Sequence, residues 1–240
     1  MLNNFYFILK YYILYCLLIP ILLIILELIT LKKLKIYNRY RKFLIENVLD
    51  IKHEFIGNRK SIEKGIIISN HKSGFDNLFD SYITNSILLG KNSVKYYHGF
   101  FYFLQIINND ILLFDKYNTN RHKLYNIIKK YMKINNRKRL IFYPEGTRVK
   151  MKYKNQDEIL NKIKYGLLKS LFENDDVIYL LISINKEFPF NFKNMKIYSK
   201  LSEPIDPKKF ITFEEFYSHI TKLWIEYLTE LRKYNYLKQN

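Results

Sequence analysis

Apolar residues recur along this chain at two spacings, and the spacings divide it into elements. Short, β-branched runs closed by turn residues lie at 51–56, 65–68, 111–116, 139–143, 177–184 and 195–200, and each predicts a strand. The alternating run at 93–97 predicts another. Helical spacing marks 77–83, the aromatic segment 99–107, and 118–134, where Leu124, Ile127, Ile128, Tyr131 and Met132 share one face beneath a basic outer side. Residues 150–157 are polar and read as an exposed loop, after which Lys164, Tyr165 and Gly166 open a further helical stretch. Thr212 and Glu215 form a capping pair that starts a final amphipathic helix running through Trp224. Strands alternating with helices imply an α/β fold, with a mostly parallel sheet flanked by helices on both faces.

The start of the chain follows a different pattern. From 11 to 30 almost nothing is polar except Glu27, while Lys10 precedes the stretch and Lys32, Lys33, Lys35, Arg39, Arg41 and Lys42 follow it. About 20 helical residues span the roughly 30 Å hydrocarbon core, so the segment is long enough to cross a bilayer. Pro20, midway, either kinks it or splits it into a re-entrant hairpin. The basic flank places the remainder on the cytoplasmic side, and 33–50 reads as a basic amphipathic helix on the membrane surface. A signal peptide fits poorly, because the first residues carry little positive charge and no small-residue cleavage site follows. The plainer alternative, a buried helix of a soluble protein, is opposed by the basic flank. The expected organisation is a membrane-anchoring segment, 1–35, followed by one domain, 36–240.

Charge and cysteine content narrow the partners. The chain of 240 residues holds 40 Lys and Arg against 22 Asp and Glu, a net charge of +18. This excess favours a polyanionic partner such as an anionic membrane face, coenzyme A or nucleic acid. An AT-rich coding bias would also produce a chain so rich in Lys, Asn, Ile and Tyr. Cys16 is the only cysteine, which excludes an intramolecular disulfide and a cysteine metal cluster. No G-x-x-x-x-G-K-S/T loop, G-x-S-x-G elbow or H-E-x-x-H motif is present.

Two stretches carry candidate chemistry. The first, Ser69-Asn70-His71-Lys72-Ser73-Gly74-Phe75-Asp76, leaves the 65–68 strand and enters a helix. On a continuous helix His71 and Asp76 would point about 140° apart, but across a strand-to-helix turn they can face each other. A neutral imidazole can then take a hydroxyl proton on one ring nitrogen while the other donates to the carboxylate, which fixes the tautomer. Ser73 and Asp76 also fit a capping box, which needs no function at all. The second stretch, Pro144-Glu145-Gly146-Thr147-Arg148, follows the 139–143 strand. Its glycine lets backbone approach a ligand and its arginine suits a phosphate, although a solvated turn has the same composition. His53, His98, His122 and His219 lack an acidic partner at useful spacing and read as structural or exposed.

Together, Asn70-His71-x-x-x-x-Asp76 and the later Phe142-Tyr143-Pro144-Glu145-Gly146-Thr147-Arg148 resemble the glycerophospholipid acyltransferase family, which includes the 1-acylglycerol-3-phosphate acyltransferases. The resemblance covers roughly residues 50 to 200. It implies transfer of an acyl chain from acyl-CoA or acyl carrier protein to a hydroxyl of a glycerol phosphate or lysophospholipid, without an acyl-enzyme intermediate and without a cofactor or metal. It also implies that the Glu145-Gly146-Thr147-Arg148 loop holds the acceptor phosphate, with Arg148, Gly146 and Thr147 binding it and Glu145 shaping the loop. Where the family commonly has a phosphate-contacting arginine at a strand end, this chain has Lys116, which keeps the charge but not the two-pronged geometry. Lys164-Tyr165-Gly166 resembles the family's lysine-glycine segment after the phosphate loop. The family's proline-containing apolar motif is missing from 177–184. The implied partners are membrane lipid, acyl-CoA and a lysophospholipid acceptor, with no nucleic acid. The implied location is a membrane with the catalytic domain on the cytoplasmic side, endoplasmic reticulum in a eukaryote or plasma membrane in a bacterium. A catalytically silent membrane-associated protein and a basic nucleic-acid-binding module are the competing classes.

Overall fold

The computed structural model describes residues 18–19, 21–22, 24–25, 36–48, 50–57, 62–72, 76–98, 101–134, 139–146, 156–186 and 196–239. Helix α1 (Ile36–Phe43) widens into a π turn over Leu44–Val48 and leads to strand β1 (Lys52–Phe55). There follow β2 (Gly65–Ser69), α2 (Asp76–Thr84), β3 (Ile87–Lys91), the short helices α3 (Val94–His98) and α4 (Phe101–Ile107), and β4 (Ile111–Phe114). Helix α5 (Arg121–Ile134), β5 (Arg139–Phe142), α6 (Gln156–Leu160), α7 (Gly166–Glu173) and β6 (Ile178–Ile184) complete the middle of the chain. Strand β7 (Lys196–Leu201) and the long α8 (Phe213–Gln239) close it.

One seven-stranded sheet runs in the order β1-β7-β6-β2-β5-β3-β4. The five strands from β6 to β4 are parallel; β7 pairs antiparallel with β6, and β1 pairs parallel with β7. Both faces are apolar, as a buried parallel sheet requires. Ile66, Ile68, Leu140, Phe142, Leu180 and Ile182 enter one core beneath α5, α7 and α8, where Trp224 is fully buried. The intervening Ile67, Ile141 and Leu181 enter the other core, with Tyr40, Leu44, Leu78 and Leu104 from α1, its π turn, α2 and α4. The period of two along each strand thus divides the sheet between two helical layers.

The predicted α/β architecture is present, with three differences. The run at 93–97 is helix α3 on the surface, and the strand lies just before it, at β3. The apolar run of β3, Ile87-Leu88-Leu89, is only three residues long and follows α2 after Thr84-Asn85-Ser86, so it gives little strand signal; the chain turns at Asn85, whose φ of 49° suits an asparagine. The last helix runs to Gln239, past the expected stop. Arg41, counted among the basic residues after the apolar start, is buried against Asp110 at 3.4 Å and ties α1 to the base of β4. The expected anchor, 1–35, lies almost wholly outside the described residues; among the described residues no helix is long and apolar enough to cross a membrane. Within that segment Ile19 and Ile24 pack against the second core, while Leu18, Leu22 and Ile25 are exposed.

The order of the parallel strands decides where a site forms. After β2 the chain crosses towards β3, and after β5 it crosses the other way, towards β6. β2 and β5 are neighbours with Ile68 beside Phe142. Their carboxyl ends therefore open on one crevice, the place where an open α/β sheet binds ligands.

Candidate active site

Both sequence motifs lie at that crevice. Asn70 continues the line of β2 with its side chain: its amide donates to the Ser183 carbonyl at 2.8 Å and its oxygen accepts from the Ser183 N–H at 2.9 Å. The backbone is thereby free to leave the sheet one residue early. His71 follows, and its N–H donates to Glu145 Oε2 at 2.5 Å, joining the first motif to the second. Across the turn His71 Nδ1 lies 3.0 Å from Asp76 Oδ2, which also accepts from the Lys72 N–H. The imidazole stacks on Tyr143, with ring centroids 4.5 Å apart and 18° between planes. Asp76 is 1% exposed and the His71 side chain 21%. Nδ1–H donating to the carboxylate leaves Nε2 with the lone pair, the tautomer a general base requires. Ser73, the residue of the alternative capping reading, lies outside the described residues.

Behind the imidazole lies a buried ionic cluster. Asp80, one helical turn after Asp76 on α2, accepts through Oδ2 from Lys186 Nζ at 2.8 Å, Tyr143 Oη at 3.1 Å and Ser69 Oγ at 3.2 Å. Lys186 Nζ also donates to the Asn70 carbonyl at 3.0 Å and stands 3.8 Å from Asp76 Oδ1. Burial pushes the Asp80 carboxyl up to about 6, with the Lys186 ammonium pulling it down and Asp76 adding to the rise. Burial would discharge Lys186, but the carboxylates of Asp76, Asp80 and Glu145 outweigh it and raise its pKa. Burial and Asp80 likewise hold the Tyr143 phenol well above its usual range. An ammonium and two carboxylates with almost no solvent exposure are costly unless each meets opposite charge and donors. Here they do.

The front of the crevice is basic. Gly146 adopts φ of 68°, a left-handed turn that favours glycine, and the Lys164 ammonium lies close enough that a Cβ there would come within 2.8 Å of it. Lys91, at the end of β3, donates to the Gly146 carbonyl at 2.6 Å. Its pKa is lowered by burial and by the charges of Lys164 and Lys116, so three ammonium groups act on one another around the loop. Lys116 itself is exposed, with Nζ 5.7 Å from the centre of the Tyr117 ring. Thr147 and Arg148 lie outside the described residues.

Of the residues singled out in the sequence, the fold brings His71, Asp76, Glu145, Gly146 and Lys164 into one crevice, with Lys116 at its rim. Sequence reasoning missed Asn70's bridging role, Tyr143, Asp80, Lys91 and Lys186. Asp80 had a signal, since it lies four residues after Asp76 and so shares its helical face. Lys186 had none, because a lysine just beyond a strand ordinarily ends in solvent. His53 is structural, lying 2.9 Å from Ser199 Oγ and packed edge-on against Phe55 and Phe79. A cavity of about 420 Å³ lined by Ile45, Ile51, His53, Phe79 and Tyr82 includes neither motif. Among the described residues no group of His, Cys, Asp and Glu is gathered as for a metal ion.

Comparison with known proteins agrees with this arrangement. The fold is similar to the crystal structure of the 1-acyl-sn-glycerophosphate (LPA) acyltransferase PlsC from Thermotoga maritima, with a TM-score of 0.62 over 96% of this chain and 94% of that one, at 18% sequence identity. No curated protein sequence matches. The Acyltransferase family signature spans residues 50–179, from β1 into β6 and through both motifs. Since that signature covers more than half of the chain, the protein belongs to the acyltransferase family that its two motifs resemble.

Proposed function

We propose that this acyltransferase moves a fatty acyl chain from a thioester donor, acyl-CoA or acyl carrier protein, to the free hydroxyl of lysophosphatidic acid or a related lysophospholipid. The observation that carries the reading is the 3.0 Å contact between His71 Nδ1 and Asp76, which leaves the lone pair on Nε2 to act as a base. In this mechanism Nε2 takes the proton from the acceptor hydroxyl as its oxygen attacks the thioester carbonyl. Asp76 holds the tautomer and balances the imidazolium. The tetrahedral intermediate collapses with breakage of the carbon–sulfur bond, and the thiolate leaves with the proton returned by His71. The thioester already has a good leaving group, so aligning and deprotonating the acceptor is the main task, and no acyl-enzyme is formed.

The acceptor phosphate binds at the 145–148 loop, with Arg148 as its forked partner and Lys91, Lys116 and Lys164 supplying charge. Burial, and after it the charges of Lys164 and Lys116, lowers the Lys91 pKa, and a bound phosphate would offset the repulsion among these lysines. The enzyme works at a membrane, with its catalytic domain on the cytoplasmic side. The exposed Leu18, Leu22 and Ile25, on a segment whose Ile19 and Ile24 already pack on the domain, suit burial in lipid.

An acceptor panel tests the assignment: lysophosphatidic acid, glycerol-3-phosphate, several lysophospholipids and monoacylglycerol, each with acyl-CoA. The reading predicts transfer to a phosphate-bearing acceptor and little or none to monoacylglycerol. Equal rates with and without phosphate would contradict the phosphate site, and no transfer to any acceptor from acyl-CoA or acyl carrier protein would contradict the activity.

A further inference from the structure

Lys186 makes no contact that a surface lysine would make. Its side chain is 1% exposed, and its ammonium touches both groups that fix His71. One contact is the Asn70 carbonyl at 3.0 Å. That carbonyl belongs to the peptide unit whose N–H, on His71, donates to Glu145. The other is Asp76, whose Oδ1 is 3.8 Å from Nζ and whose Oδ2 holds the imidazole. Asp80 supplies the charge that keeps the ammonium in place, at 2.8 Å.

Stability alone does not account for this arrangement. A buried ion pair recovers its desolvation cost poorly, and apolar residues of similar volume often serve a fold as well or better. The ammonium lies among three buried carboxylates, those of Asp76, Asp80 and Glu145, whose charges all act on it around the Asn70–His71 turn.

We infer that Lys186 is a positioning residue for acyl transfer: its ammonium holds the Asp76 carboxylate and the Asn70–His71 peptide in place, so that His71 presents Nε2 to the acceptor hydroxyl. The inference rests on His71 being the base. It deepens that reading by placing a buried cation behind the pair. The groups facing the His71–Asp76 pair are Lys186 beyond β6, Asp80 on α2, and Tyr143 and Glu145 beyond β5.

The test uses the full-length protein with acyl-CoA and lysophosphatidic acid, and three variants: His71→Ala, Lys186→Met and the double variant Asp80→Asn with Lys186→Met. The double variant removes the ammonium together with its main counter-charge, so it leaves no lone carboxylate at position 80. The expected result for both Lys186 variants is kcat lower by about 10- to 100-fold, the scale of a mispositioned catalytic group. Both KM values stay within about twofold, so the loss lies in kcat. If Lys186 only neutralises Asp80, the folded double variant recovers wild-type kcat, and the inference is overturned. A double variant that fails to fold assigns Lys186 to stability and overturns it too. If His71→Ala keeps wild-type turnover, it is the general-base reading that fails; if it is inactive while the folded double variant is normal, only the role of Lys186 fails.

Discussion

The two sides of the crevice differ in how they hold charge. Behind His71, an ammonium and carboxylates are buried and matched by hydrogen bonds, with Lys186 and Asp76 each 1% exposed and Asp80 fully buried. In front, Lys91, Lys116 and Lys164 surround the Gly146 turn with like charge at partly or fully exposed positions. The first arrangement pairs opposite charges within the protein, with Asp80 Oδ1 left without a hydrogen-bond partner among the described residues, and it fixes a ring orientation. The second gathers like charge that an anion would balance. The contrast supports the proposal that proton transfer belongs to the buried side and recognition of a phosphate to the open one.

Variants on the two sides should separate in kinetics, and the largest effect belongs to the buried side. Asp76→Asn keeps the shape of the turn but loses the charge that orients and balances the imidazole. Its kcat should fall by about 10²- to 10⁴-fold with acceptor KM little changed. An effect confined to KM would remove the contrast.

On the open side, Lys91→Ala should raise the acceptor KM about tenfold, the loss of roughly 1.4 kcal/mol of phosphate interaction, with donor KM unchanged. An equal fall in kcat with unchanged KM would move Lys91 to the chemical step. The same lysine sets a pH dependence. Because its pKa is lowered below the ordinary 10.5 by burial, Lys164 and Lys116, it discharges earlier than other lysines as pH rises. Acceptor KM should therefore climb on the alkaline side in the wild type, and that climb should flatten in Lys91→Ala. A climb of the same size in both proteins would point to another group.

Lys116→Arg should have the smallest effect. A forked guanidinium in place of a point charge at the exposed rim lowers acceptor KM by about two- to threefold, within the gain of one improved charge-assisted hydrogen bond. A rise in KM, or a loss of kcat, would show that Lys116 is tuned rather than merely positive.

The sequence reveals the rigid side only in part, for physical reasons. β2, β5 and β6 are buried on both faces, so their continuous apolar runs are unmistakable, and the motifs at their ends follow from them. β3 escapes because its apolar run, Ile87-Leu88-Leu89, is only three residues long, and with it Lys91 is lost as a strand-end residue. The pairing of His71 with Asp76 is legible from five positions of sequence. Lys186 is brought to the same point from beyond β6 by sheet order, which no local pattern encodes. The same holds for Glu145: its carboxylate reads as part of a phosphate loop, yet in the fold it accepts the His71 N–H and joins the two motifs.

The central claim is that His71 is the base for acyl transfer to a phosphate-bearing hydroxyl. Its most direct test is kcat/KM for transfer from acyl-CoA to lysophosphatidic acid by His71→Ala, measured beside the wild type with both proteins shown to be folded by circular dichroism. The account predicts at least about a 10³-fold loss in the variant with the fold intact. Turnover within about tenfold of wild type would contradict it.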